Sequence, residues 1–132
     1  MKVKCTDIQL NDKQRKLLGI PDTVRTVYQL TVGNIYTVLG ITFHIQSHFY
    51  GSGVAVEICD DAGRSAEVPL CLFEIVDQRP SRFWKIHQYN ECGCTMRPDE
   101  FYKEYFHDDL SEGSAEAMRV FIDLVKKLEE EY

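Results

Sequence analysis

Several groups of residues in this chain of 132 are of types that could do chemistry. His107-Asp108-Asp109 joins an imidazole to two carboxylates, a set that can ligate a divalent cation or supply a general base. No nucleophile or metal partner is marked beside it. Asp109 or Ser111 is expected to cap a turn before the last helix, with the remaining charge solvated. His44 and His48 are four apart, the spacing that aligns two metal ligands on a helix, but the segment around them does not have a helical pattern and a loop is expected. Cys92-Gly93-Cys94 is tighter than the usual zinc spacing and no second pair completes four ligands, so it reads as a reduced loop pair. A cysteine with His87 or His107 would form a nucleophilic dyad, yet nothing marks a lowered thiol pKa. Gly51-Ser52-Gly53 lacks the helix and lysine of a phosphate loop and reads as a strand entry or loop tip. No catalytic, cofactor-binding or metal-binding residue is assigned, and the chain is expected not to be an enzyme.

A second kind of chemistry is recognition by charge and aromatic rings. The chain carries 15 Lys and Arg against 21 Asp and Glu, for a net charge of −6. The imbalance is local: residues 1–90 are net +1 and residues 91–132 net −7. Glu100, Glu104, Asp108, Asp109 and Glu112 cluster beside Tyr102, Tyr105 and Phe106. A solvated acidic surface keeps a protein soluble. The same residues suit a basic protein partner, because charge steers encounter and rings anchor it. The residues expected at such a surface are Glu100, Tyr102, Glu104, Tyr105, Asp108, Asp109 and Glu112. Trp84, Tyr89, Tyr102 and Tyr105 could instead stack on nucleic-acid bases, which also needs a cationic groove. The acidic balance argues against phosphate binding, and these rings are expected to fill the interface between sheet and helix.

The elements that must position these residues follow from pattern. The length suits a single domain, residues 1–132, β-rich over 1–90 and helical over 96–132. A composition 44% hydrophobic and 27% charged is that of a globular protein. No apolar run approaches the ~20 residues of a membrane span. Met1 to Asp7 has no signal-peptide pattern, and five cysteines suit a reducing compartment, so a cytoplasmic location is expected. Cys5, Cys59 and Cys71 sit among apolar residues and read as core fillers. Val3 to Ile8 reads as an edge strand, Asn11 to Gly19 as one or two helical turns or a polar loop, and Leu30 to Phe43 as a turn at Gly33-Asn34 followed by a strand bent at Gly40. Val54 to Cys59 and Arg64 to Val68 form a hairpin about Asp60-Asp61-Ala62-Gly63. Pro69 ends the second strand and predicts a tight turn through Leu70-Cys71-Leu72 into a strand over Phe73 to Asp77. Arg82 to Tyr89 reads as a further strand. Arg97-Pro98-Asp99-Glu100 has the signature of a helix start. Ala117, Phe121, Leu124 and Leu128 put one apolar face on a final helix that must dock on the sheet.

The stretch Leu30-Thr31-Val32-Gly33-Asn34-Ile35-Tyr36-Thr37-Val38, then Asp60-Asp61-Ala62-Gly63-Arg64 and Val68-Pro69-Leu70-Cys71-Leu72-Phe73-Glu74-Ile75-Val76, resembles the Src-homology-three-like barrel of small bacterial and phage proteins. The resemblance covers about residues 27–77. It implies a glycine turn opening a strand, a hairpin, and a proline leading a helical turn into the closing strand. It carries over no peptide-binding groove. Phe106-His107-Asp108-Asp109-Leu110-Ser111-Glu112-Gly113 is similar to tails of uncharacterised bacterial proteins that pair such a barrel with a terminal helix. The expected fold is therefore α+β, a small antiparallel SH3-like β-barrel with a C-terminal helical appendage. Such a fold does not fix function.

Small size, the absence of a catalytic signature and the concentrated negative charge together lead to a functional expectation. It is a bacterial immunity protein that neutralises a cognate toxin, a basic nuclease being the partner class that fits. The alternative is a small regulatory module that binds a peptide or nucleic acid through its barrel. No cofactor and no membrane partner are expected.

Overall fold

The computed structural model describes all residues, Met1–Tyr132. Its architecture is α+β, with two antiparallel sheets and three helices. The first sheet has three strands in the order β2-β1-β6: β1 is Lys2–Cys5, β2 Ile35–Thr37 and β6 Phe73–Asp77. The second has five, β5-β4-β3-β8-β7: β3 is Gly40–Ser47, β4 Gly51–Cys59, β5 Ser65–Pro69, β7 Trp84–Gln88 and β8 Cys94–Pro98. The helices are α1 (Asp12–Leu18), α2 (Phe106–Ser111) and α3 (Ala115–Glu129). No helix is long and apolar enough to cross a membrane.

Local chemistry accounts for several boundaries. Asn11 accepts the backbone N–H of Gln14, Gln14 Oε1 accepts the backbone N–H of Asn11, and Gly19 closes α1 in the left-handed region at φ 75°. This reciprocal cap and terminal glycine explain a seven-residue helix that would be marginal alone. Asp60 accepts the N–H groups of Ala62 and Arg64 and so shapes the β4–β5 turn. Pro69 ends β5, a 3-10 turn over Leu70–Leu72 follows, and β6 then pairs with β1 through Cys5↔Phe73 and Val3↔Ile75. Gly51 begins β4 at φ 63°, where a Cβ would lie 2.0 Å from the Leu18 carbonyl oxygen, so only glycine lets the strand pass this close to α1.

Four readings of secondary structure are corrected. β1 is the central strand of its sheet, not an edge. The segment read as one strand through Gly40 is two, β2 and β3, belonging to different sheets. His44 lies in β3, not in a loop. Arg97-Pro98 ends strand β8, because Met96, Thr95 and Cys94 pair with Ile41, Thr42 and Phe43 of β3. Proline suits a strand end as well as a helix start, and the ladder decides between them. Only Asp99–Tyr102 then forms a 3-10 turn.

The core has two parts. Val3, Val38, Val56, Ile58, Val68, Leu72 and Phe73 fill the space between the sheets. Leu39, Phe101, Phe106, Leu110, Phe121, Leu124 and Leu128 join α2 and α3 to the end of the five-stranded sheet. The four apolar positions read as the inner face of the last helix are all buried. Cys5 is buried and Cys59 half-buried, but Cys71 is exposed and fills no core.

Candidate functional site

Alternation along the five-stranded sheet places neighbouring rows of residues on opposite faces. One row, Val68, Val56, Ile41, Met96 and Ile86, is apolar across all five strands. The next row is charged: Glu67 of β5 lies opposite Glu57 of β4, Glu57 opposite Gly40 of β3, and Arg97 of β8 opposite Lys85 of β7. Arg97 reaches across Gly40 to Glu57. A Cβ on Gly40 would stand 2.8 Å from Arg97 Cγ, so the glycine leaves the path open for this side chain. Arg97 Nε comes within 3.5 Å of Glu57 Oε2, and one of its terminal nitrogens donates to Thr42 Oγ1 at 3.1 Å.

Glu57 is only 3% exposed. Its Oε1 accepts the hydroxyl of Ser65 at 2.6 Å and faces His107 Nε2 at 2.6 Å. A carboxylate only accepts, so Nε2 of His107 carries the proton of that bond. Glu67 Oε1 faces His44 Nε2 at 2.8 Å. Burial opposes ionisation of Glu67. Hydrogen bonds from His44 and Thr42 and the charges of His44 and Arg97 outweigh it, holding this carboxyl below the usual glutamate range. Tyr50 stacks on His44 at 4.7 Å, and burial, with Glu67 and Glu57 adding to it, pushes its phenol up to about 12.

The residues expected at a partner surface lie on the 3-10 turn, on α2 and beside them. Phe106 and Leu110 turn into the core, and His107 reaches Glu57. Asp108, Asp109 and Glu112 are left exposed, as are Glu100 and Glu104. None of these five carboxylates has an ion-pair partner within 4.0 Å, and beyond Gly93 only Glu131 does, with Arg82 at 3.8 Å. Glu100 and Asp109 share a small cleft with Lys103 and with Glu116, which spacing did not single out. Tyr105 is 65% exposed and holds φ 62° at the start of α2. Tyr102 is part of the scaffold instead. Its ring stacks on His87 at 3.6 Å, and its hydroxyl donates to the Lys85 carbonyl at 2.9 Å. That hydroxyl has one proton, so at 2.8 Å Thr95 Oγ1 is the donor to it.

The other rings are also engaged. Trp84 Nε1 donates to the Leu39 carbonyl at 2.8 Å, and the Tyr89 hydroxyl to that of Phe43 at 2.6 Å. Cys92 and Cys94 sit at the β7–β8 hairpin, where Tyr89 folds over Gly93 so closely that a Cβ there would be 2.2 Å from its ring. His48 is exposed and makes its ring contact with Phe49, apart from the His44–Glu67 pair. No group of three or more His, Cys, Asp or Glu side chains is arranged to hold a metal ion.

Alternation marks Glu57 and Glu67 in the sequence only as polar positions of two strands. Their pairing with residues 97, 107 and 44 depends on strand order, which no local spacing carries. No protein-family model matches the chain, and comparison with curated proteins and with solved structures finds no significant match either.

Proposed function

We propose that this chain is a non-enzymatic immunity protein that binds a basic toxin through the acidic surface of the 3-10 turn and α2. The observation that carries the reading is the set of five exposed carboxylates, Glu100, Glu104, Asp108, Asp109 and Glu112, unpaired within the chain and carried on the same stretch, from the 3-10 turn through α2, as the exposed Tyr105. Unpaired surface acids steer a cationic partner during encounter, and an exposed tyrosine gives contact area at low entropic cost. A basic nuclease is the toxin class whose active surface such acids would cover. We read the β-rich part as an SH3-like barrel. Support comes from Pro69, the 3-10 turn after it and the return of β6 to pair with β1.

The product of the neighbouring reading frame provides the test. Co-expression should rescue a host from its toxicity, with 1:1 binding whose association rate falls roughly tenfold or more between low and high salt. Reversal of Asp108 and Asp109 to lysine should weaken that binding by a similar factor while the circular dichroism spectrum is unchanged. A folded double variant that protects and binds as well as the parent would refute the acidic-surface reading. A harmless neighbour would refute the immunity reading itself.

A further inference from the structure

A second concavity, on another side of α2, has a different composition. It is a cleft of about 520 Å³ between the β4–β5 turn and the α2–α3 turn, a volume within the range of small-molecule sites, roughly 300–1,000 Å³. Leu110, Met118 and Phe121 form its apolar part, and Arg64, Ser65 and His107 its polar end. In a chain of net charge −6, no carboxylate lines it. Asp60 is buried under the turn, with Oδ1 on the backbone N–H groups of Ala62 and Arg64 and Oδ2 on one Arg64 guanidinium nitrogen at 3.3 Å. Glu57 lies beneath the wall and takes up Ser65 Oγ and His107 Nε2. The Arg64 side chain, 64% exposed, keeps its other N–H donors free.

We propose that this cleft binds a small amphipathic carboxylate. The apolar body lies along Met118 and the edge of Leu110, with the buried Phe121 behind them, and the anionic head meets the Arg64 guanidinium beside His107. Charge complementarity selects this occupant over an uncharged one, because the free side-chain N–H donors at the polar end belong to the exposed Arg64 guanidinium and no carboxylate lines the cleft. The inference does not depend on the acidic surface, which lies on other residues.

Octanoate and octanol serve as probes on the intact chain, read by amide chemical-shift titration and calorimetry. Octanoate should give saturable shifts confined to residues 63–65, 107–113 and 118–121, and octanol, with the same body and no charge, should bind roughly tenfold more weakly. Arg64→Gln should weaken octanoate roughly tenfold and leave octanol unchanged. Arg64 is a surface side chain, so this variant retains the parent spectrum. Absence of saturable shifts, or shifts elsewhere on the molecule, would overturn the site. Equal binding of the two probes, or an Arg64→Gln variant that binds octanoate as the parent does, would overturn the charged head.

Discussion

Replacing Arg97 by methionine tests whether the charged row is an interior ion-pair network. The side chain is 20% exposed and approaches a Glu57 carboxylate that is 4% exposed. Methionine keeps much of the apolar stem over Gly40 and removes the guanidinium, with its hydrogen bond to Thr42. Breaking a buried pair by deleting one partner costs roughly 3–5 kcal/mol, because the other charge stays in the interior without its counterion. Glu57 keeps Ser65 and His107 on Oε1 and loses its neighbour on Oε2 alone, so the expected cost is lower, about 2–4 kcal/mol. With a urea dependence of about 2 kcal/mol per molar, the unfolding midpoint falls by about 1–2 M. Trp84, the single tryptophan, donates to the Leu39 carbonyl, so its fluorescence reports the sheet directly, and far-ultraviolet circular dichroism reports the whole chain. A second variant completes the argument. With Glu57 also changed to glutamine, an oxygen still accepts from Ser65 and His107 and no uncompensated carboxylate remains, so stability should return to within about 1 kcal/mol of the parent. If Arg97→Met costs less than about 1 kcal/mol, or the double variant is no more stable than the single one, the interior-pair reasoning is wrong.

Two further outcomes follow from the same row. Gly40→Ala places a Cβ against Arg97 Cγ and 3.1 Å from the Met96 carbonyl oxygen, so it should destabilise by about 1–3 kcal/mol and lose most of that penalty in the Arg97→Ala background, as urea unfolding would show. Burial raises the phenols of Tyr28 and Tyr50, the latter to about 12, whereas in the unfolded chain tyrosine ionises near ~10. The folded state therefore holds protons that the unfolded state releases. Stability present below that pH declines through the range from about 10 to 12. Phenolate absorbance should show tyrosines that titrate late, Tyr50→Phe should remove one of them, and a folded parent whose tyrosines all titrate together would contradict the burial of these rings.

Features set by nearby residues were legible in the sequence. The terminal helix follows from Ala117, Phe121, Leu124 and Leu128, and the β4–β5 turn from Asp60 and Gly63. The break after β5 follows from Pro69. The charged row depends on contacts between distant positions, and the sequence hid it. Glu57 and Glu67 alternate with apolar neighbours as solvent-facing residues of a half-buried strand would, yet Glu57 is buried, with Arg97, Ser65 and His107 of α2 set against it. Strand β8 is hidden in the sequence for a related reason. The pattern Arg97-Pro98-Asp99-Glu100 satisfies a helix start, and the competing preference comes from β3, more than fifty residues earlier. The acidic neighbours of Tyr102 suit a surface ring and its aromatic character a ring between sheet and helix, whereas Thr95, Lys85 and His87, gathered by the β7–β8 hairpin, engage it.

The two sets of charges are joined through α2. A helix of six residues has little stability of its own, so its position must come from tertiary contacts. Phe106 and Leu110 supply the apolar contacts, and His107 supplies the polar one, to the same Glu57 that Arg97 pairs with across Gly40. Asp108 and Asp109 are the next two residues along the helix. Phe106, Leu110 and the His107–Glu57 contact together set the direction in which these acids face. Tyr105, held in the left-handed region at a cost of about 1–2 kcal/mol for a non-glycine residue, marks the corner at which the chain leaves the 3-10 turn to reach that carboxylate. Placing an unpaired acidic surface on so short a helix needs such an anchor, because repulsion among the acids favours their separation and the contacts beneath α2 oppose it.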